Sequence, residues 1–217
     1  ALPISYRKNL GKQLAQENKI NADVIVPIPD SGVPAAIGYA QESQVPFELG
    51  IIRNHYIGRT FIEPSQSIRQ FGVKLKHSVN KSVIEGKKVV LIDDSIVRGT
   101  TANKVVKMVF DAGASEVHLG ISSPPIKYPD FYGIDTPKFN ELMAAHNNID
   151  EMTKIVGATS LFFISLEGTY KAMGENFRDP VCPQFTDHCF TGEYPIEVAD
   201  QKAYILESQK TIKQYNY

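Results

Sequence analysis

The residues best suited to chemistry lie between Val89 and Thr101, where an apolar run ends in two carboxylates and a hydroxyl-rich turn. The run at 89–92 predicts a buried parallel strand, and a helical pattern opens near Thr100. Unpaired N–H groups at a helix start bind phosphate, hydroxyls add donors, and glycine permits close backbone approach. The segment therefore predicts a site for a phosphorylated sugar, formed by Asp93, Asp94, Ser95, Ile96, Val97, Arg98, Gly99, Thr100 and Thr101.

Asp93 and Asp94 need partners other than phosphate, because like charges repel. Sugar hydroxyls donate hydrogen bonds to carboxylates, and a divalent cation prefers hard oxygen ligands. The same pair, taken alone, is also typical of a solvated strand end or a helix cap.

A second turn lies at Pro29, Asp30, Ser31 and Gly32, between a predicted strand at 23–28 and a predicted helix at 33–41. It has the same strand-to-helix setting as the first turn, although Ser31 could simply cap the helix. In a doubly wound sheet the carboxyl ends of neighbouring strands open onto one crevice. We therefore expect Ser31 to lie near Asp93 and Asp94, close enough for the three to share one cation.

Residues 53–81 carry an excess of positive charge and predict a loop that closes over the site. Six basic residues face one acid, Glu63, and the stretch contains Gly58, Pro64 and Gly72. Each basic side chain taken singly is more typical of solvated surface. The basic residues are Arg53, Arg59, Arg69, Lys74, Lys76 and Lys81.

These segments must be positioned by an α/β fold, because helical and strand patterns alternate along the chain. We predict a helix at 7–16 with Ser5 as its N-cap, and a terminal helix at 199–213. Further strands are predicted at 47–52, 117–121 and 161–166, and helical patches at 139–145 and 149–156.

Composition excludes several classes of protein without identifying one. The chain has 217 residues, is 42% hydrophobic and carries a net charge of −1, which gives no basic field for nucleic acid or an anionic membrane. We find no apolar run of the roughly 18 residues that a membrane span requires. Two cysteines are too few for a disulfide scaffold. We expect one soluble, cytoplasmic domain.

The segment 89–101 resembles the phosphoribosyl pyrophosphate signature of type I phosphoribosyltransferases. Three further blocks resemble the glutamine phosphoribosyl pyrophosphate amidotransferases, in the same order: residues 28–32, 53–62 and 132–135. The resemblance spans essentially the whole chain. It implies a twisted, mainly parallel sheet flanked by helices, with a core at about 1–125 and a small hood, last core elements and C-terminal helix at about 126–217.

By this resemblance, ammonia replaces pyrophosphate on phosphoribosyl pyrophosphate in the first step of purine synthesis. The loop at 29–32 holds pyrophosphate, and Mg²⁺ bridges substrate near Ser31, Asp93 and Asp94. The residues implied to contact substrate from the loop at 53–81 are Arg53, Tyr56, Arg59, Lys74 and Lys76. The family also implies homo-oligomers, inhibition by AMP or GMP, and an N-terminal glutaminase domain, in cis or in trans, that this sequence lacks.

Some family members bind a [4Fe–4S] cluster through four cysteines, whereas this chain has only Cys182 and Cys189. Asp130 and Phe185 stand where those relatives have cysteines, so we predict no iron–sulfur cluster. The cysteines are interpreted as unreactive remnants, with zinc binding beside His188 as a minor alternative.

Two other functions remain open at this stage. One is a non-catalytic regulator that keeps the sugar-phosphate pocket, although neither the charge balance nor the short N-terminal lead favours a DNA-binding module. The other is a salvage transferase that joins the same donor to a purine base, although the block at 53–62 argues against it.

Overall fold

The computed structural model describes residues 4–53, 77–134 and 136–196, with the backbone alone for residue 77. Helices and strands alternate along these ranges. The helices are α1 (Ile4–Glu17), α2 (Val33–Ser43), α3 (Lys81–Ile84), α4 (Thr100–Asp111), α5 (Met143–His146), α6 (Ile149–Val156), α7 (Leu166–Ala172) and α8 (His188–Thr191), with a 3-10 turn at Phe139–Glu141. The strands are β1 (Val24–Pro27), β2 (Ile51–Arg53), β3 (His77–Val79), β4 (Lys88–Asp93), β5 (Glu116–Ile121) and β6 (Ser160–Phe163).

The main sheet has the order β1-β4-β5-β6, and its neighbouring strands are parallel. A parallel bridge between Ile25 and Phe47 extends the sheet beyond β1. β2 and β3 form a separate antiparallel pair. The predicted α/β class with a mainly parallel sheet flanked by helices is confirmed.

Strand β4 is apolar at successive positions because both of its faces are buried. Val89 and Leu91 belong to a core that includes the inner face of α4, whereas Val90 and Ile92 belong to a core that includes α1 and α2. All four side chains are fully buried. Helices therefore cover both sides of the sheet, and the carboxyl end of β4 opens toward solvent at Asp93 and Asp94.

Several predicted boundaries differ from the structure. Ser5 lies inside α1, which already includes Ile4, so the predicted N-cap at Ser5 is wrong. The predicted strand at 47–52 is divided into the bridge at Phe47 and β2. β6 ends at Phe163, because Ser165 caps α7 by accepting a hydrogen bond from the N–H of Gly168.

The predicted loop at 53–81 begins and ends in regular structure. Arg53 is the last residue of β2, and its partner across the strand pair is His77. Residues 54–76 lie outside the described residues, as do Asp135 and the predicted helix at 199–213. Within the described ranges, no helix is long and apolar enough to cross a membrane.

Candidate active site

The two predicted turns meet at one edge of the main sheet. β1 and β4 are neighbours, and Pro27 pairs with Ile92 at their carboxyl ends. The chain leaving each strand lines a cavity of about 400 Å³. Its walls are formed by Ile28, Pro29, Ser31, Arg53 and residues 93–102.

Ser31 and Asp93 are the contact between the two turns. The Ser31 hydroxyl donates to Asp93 Oδ1 at 3.4 Å, across 62 positions of sequence. Gly32 and Gly99 occupy the N-cap positions of α2 and α4, and neither helix has a side-chain cap hydrogen bond. Ser31, Asp93 and Asp94 therefore do not act as helix caps. The predicted proximity of Ser31 to the carboxylates is therefore confirmed.

Asp93 is an unusual carboxyl group. Burial, together with the negative charge of Asp94, raises the pKa of Asp93 to about 7. Asp93 Oδ1 also accepts the Asp94 N–H at 2.9 Å, and the backbone oxygen of Asp93 accepts the Ser122 hydroxyl at 3.1 Å. Two adjacent acids are thus held together with little neutralising charge.

This donor set fits Mg²⁺. The cation prefers hard oxygen ligands, usually one or two carboxylates together with water and substrate phosphates. A divalent charge would also relieve the repulsion between Asp93 and Asp94. Ser31, Asp93 and Asp94 are the side chains that would hold it, directly or through water.

The start of α4 offers backbone N–H groups to an anion. Gly99 occupies the N-cap position with φ of +74°, a conformation that favours glycine. A Cβ at Gly99 would lie 2.6 Å from Met143 Sδ, so the turn is packed against the start of α5, in the segment between β5 and β6. A phosphate bound here would face the positive end of the helix dipole.

The turn after β1 is held against β4 by a close backbone approach. A Cβ at Gly32 would lie 2.2 Å from the backbone oxygen of Ile92. The Gly32 N–H donates to the Ile28 oxygen at 3.0 Å, so it is used inside the turn rather than offered to a ligand. The Pro29–Asp30 peptide bond is cis.

Two arginines at the cavity are held by carboxylates. Arg53 Nη1 lies 2.6 Å from Asp30 Oδ2, and Arg98 Nη2 lies 3.0 Å from Glu141 Oε2. The Nε of Arg53 is buried and has no hydrogen-bond partner among the described residues. Arg53 therefore retains donor capacity beside the cavity.

The structure brings most predicted site residues together. Residues 93–101, Pro29, Ser31 and Arg53 all line the cavity, whereas Asp30 and Gly32 belong to the turn without lining it. Tyr56, Arg59, Lys74 and Lys76 lie outside the described residues. Sequence reasoning missed Glu141, Met143 and the contact from Ser122. No local motif marks the first two, because they reach the site only through tertiary packing.

Comparison with known proteins places this geometry in a family. A family model described as the phosphoribosyl transferase domain matches residues 7–123, more than half of the 217-residue chain. The chain belongs to this family. The matched range contains both turns of the site.

Among curated relatives, the chain is similar to amidophosphoribosyltransferases. It is 60% identical over 196 residues to that of Rhizobium etli, covering 90% of this chain and 40% of the relative. It is 53% identical over 194 residues to that of Bacillus subtilis, covering 89% and 40% respectively. The chain thus spans about two fifths of the length of these relatives. The predicted resemblance is confirmed over this part.

A solved structure agrees with this result. Glutamine phosphoribosylpyrophosphate amidotransferase from B. subtilis, complexed with ADP and GMP, superposes with a TM-score of 0.81 at 52% identity. The match covers 91% of this chain and 44% of that chain. The predicted type I phosphoribosyltransferase fold is therefore confirmed.

Proposed function

We propose that this chain is the synthase half of an amidophosphoribosyltransferase. Ammonia attacks C1 of phosphoribosyl pyrophosphate, the bond from C1 to the pyrophosphate oxygen breaks, and pyrophosphate leaves with the bonding electrons. The new amine loses a proton to solvent, giving 5-phosphoribosylamine. The chain is then a glycosyltransferase that acts in the first step of de novo purine synthesis.

One observation carries this proposal: the Ser31 hydroxyl lies 3.4 Å from Asp93 at the edge where both turns meet. A substrate with phosphate at one end and pyrophosphate at the other needs two anion sites with a sugar site between them. In this proposal the start of α4 and the turn at 29–32 supply the anion sites, and Asp93 and Asp94, which line the same cavity, bind the sugar.

The residues act by position and charge. The α4 N-terminus, with Thr100 and Thr101, binds the 5-phosphate. Asp93 and Asp94 accept hydrogen bonds from the ribose hydroxyls. Arg53 stabilises the leaving pyrophosphate by charge-assisted hydrogen bonds.

No activated side-chain nucleophile is needed, because ammonia is already nucleophilic. Holding the reactants in place supplies much of the rate enhancement. When bound, Mg²⁺ would neutralise negative charge on the leaving pyrophosphate.

The wider assembly belongs to the same proposal. Ammonia comes from glutamine when a glutaminase domain is present in cis or in trans, and AMP or GMP inhibits by occupying the donor site and adjacent sites. The homo-oligomeric state, the cytoplasmic location, the division into core and hood and the absence of an iron–sulfur cluster stay predictions.

The test measures pyrophosphate release from phosphoribosyl pyrophosphate by the 217-residue chain. Reactions contain Mg²⁺ and one of three additions: ammonium, glutamine, or a purine base. We expect pyrophosphate release in the reaction with ammonium and not in the reactions with glutamine or a purine base. Release with base alone would support a salvage transferase, and binding of the donor without release would support a regulator.

Matched variants connect the activity to the site. Ser31→Ala and Asp94→Asn change residues at the cavity and should lower the ammonium-dependent rate at least about tenfold. Lys104→Ala changes an exposed residue of α4 outside the cavity and should leave the rate unchanged. Equal rates in all three variants would contradict the proposed site.

A further inference from the structure

A second cluster of chemically active side chains lies away from the sugar-phosphate cavity. Asp130, His188 and Cys189 each offer one ligand atom, and these atoms all lie within 4.8 Å of one another. Asp130 and His188 are separated by 58 residues of sequence, and their side chains are 2% and 6% exposed. The cluster combines a carboxylate and an imidazole with buried side chains and the thiol of the half-buried Cys189.

Asp130 is held as a preorganised ligand. Its Oδ1 accepts the backbone N–H groups of Tyr132 and Ile134, each at 2.8 Å. Its Oδ2 faces His188 Nε2 at 2.7 Å. Carboxylates and imidazoles that bind metals are usually oriented by hydrogen bonds of this kind.

His188 has an unused ring nitrogen. Nδ1 is buried and has no hydrogen-bond partner among the described residues. The ring is fixed by Tyr132 and Tyr194, whose ring centroids lie 5.0 Å and 5.1 Å from its own. The two ring nitrogens point in different directions, so a cation shared with Asp130 would bind Nε2 in place of the 2.7 Å hydrogen bond.

We propose that Asp130, His188 and Cys189 form a binding site for one divalent cation of the zinc class. Zinc accepts oxygen, nitrogen and sulfur ligands together, whereas Mg²⁺ and Ca²⁺ prefer oxygen alone. Ligand atoms around tetrahedral zinc lie roughly 3.3–3.6 Å apart, so the Asp130–His188 contact at 2.7 Å would widen and Cys189 Sγ would adjust within the 4.8 Å cluster. A fourth ligand position remains for water.

Charge balance also favours this ligand. One carboxylate and one thiolate neutralise a divalent cation, leaving no net charge in a buried site. Burial and the neighbouring Asp130 raise the pKa of the Cys189 thiol to about 11, so the metal-free thiol keeps its proton. On binding, sulfur forms a bond to the metal and the thiol proton passes to solvent.

The direct test uses the whole chain, stripped of metal with a chelator and then loaded with Zn²⁺ or Co²⁺. We expect about one zinc ion per chain by elemental analysis. Co²⁺ should give a thiolate-to-metal charge-transfer band, which the oxygen ligands at Asp93 and Asp94 cannot produce. Absence of this band, or of stoichiometric zinc, would overturn the proposal.

The two cysteines provide a matched pair of variants. Cys189→Ser should weaken zinc binding at least about tenfold and abolish the cobalt band. Cys182→Ser changes an exposed thiol outside the cluster and should change neither. Equal loss in both variants, or in neither, contradicts the assignment.

A second variant tests the metal ligands with little change to the shape of the folded protein. Asp130→Asn preserves the shape of the side chain while removing its charge, and should also lower zinc affinity.

Iron with acid-labile sulfide in the purified protein would overturn this proposal together with the predicted absence of a cluster. Because the test measures no phosphoribosyl transfer, its result is independent of the proposed function.

Discussion

Arg53 contacts the carboxylate of Asp30 at 2.6 Å, joining the end of β2 to the turn after β1. The contact places a guanidinium at the cavity wall, whereas Asp30 itself does not line the cavity. Asp30 therefore orients Arg53 instead of binding an anionic ligand directly. The pair is partly exposed, with side chains 36% and 55% accessible, so its own contribution to stability is small.

Arg53→Ala should lower kcat/KM for phosphoribosyl pyrophosphate at least about tenfold, because a charge-assisted hydrogen bond to the leaving group is lost. Asp30→Asn should lower kcat/KM by less than about fivefold, because Arg53 remains present and only the ion pair that orients it is weakened. Steady-state kinetics with ammonium measures both values. A larger loss in the Asp30 variant than in the Arg53 variant would contradict these roles.

Gly99→Ala should destabilise the fold by about 2–3 kcal/mol and weaken binding of the donor. The substitution forces alanine into φ of +74° and brings its Cβ to 2.6 Å from the buried Met143 side chain. The backbone costs about 1–2 kcal/mol, and moving a flexible but packed methionine adds about 1 kcal/mol. Denaturant unfolding measures the total.

Gly86 is the matched control for this substitution. It has φ of +73°, and nothing lies within 4 Å of its added Cβ. Gly86→Ala should therefore show the backbone cost alone and leave the kinetics unchanged. An equal loss of stability in both variants would mean that Met143 moves at no cost.

Asp93→Asn should stabilise the metal-free protein while abolishing function. The carboxylate is partly buried beside Asp94, whereas an asparagine amide oxygen still accepts the Asp94 N–H. Removing one of two close negative charges should raise the free energy of unfolding by about 1–3 kcal/mol at pH 8. Denaturant unfolding in chelator tests this. Asp111→Asn, an exposed control at the end of α4, should change stability little.

Ionisation of Tyr39 should make the stability of the fold depend on pH in the alkaline range. Burial raises the pKa of Tyr39 to about 12 from its ordinary value of 10.0, and its hydroxyl donates to the Asn18 oxygen at 2.9 Å. The folded state keeps a proton that the unfolded chain loses, so this stabilisation is complete below pH 10 and is lost as pH rises toward 12.

Tyr39→Phe should flatten the stability curve over that interval, removing a fall of about 2–3 kcal/mol. Urea unfolding at several pH values tests the change. Tyr6→Phe changes an exposed tyrosine and is the control substitution. Identical slopes for the Tyr39 variant and the wild type would contradict the assignment.

The α/β pattern and much of the sugar-phosphate site were predictable from sequence because their signals are local. Residues 89–92 are apolar in succession since β4 is covered on both faces, and Gly99 marks a turn with positive φ. The proximity of Ser31 and Asp93 followed from one topological rule for neighbouring parallel strands. Ser5 was assigned wrongly because capping residues also occur inside helices, where packing decides the boundary.

The amino-acid sequence by itself determined where strands end in polar turns, because periodic burial leaves a pattern along the chain. Only the tertiary structure decided that Glu141 pairs with Arg98, that Met143 lies behind Gly99, and that Asp130 meets His188. These contacts join irregular segments far apart in sequence. Their geometry depends on the packing of whole elements, which no local spacing of residues encodes.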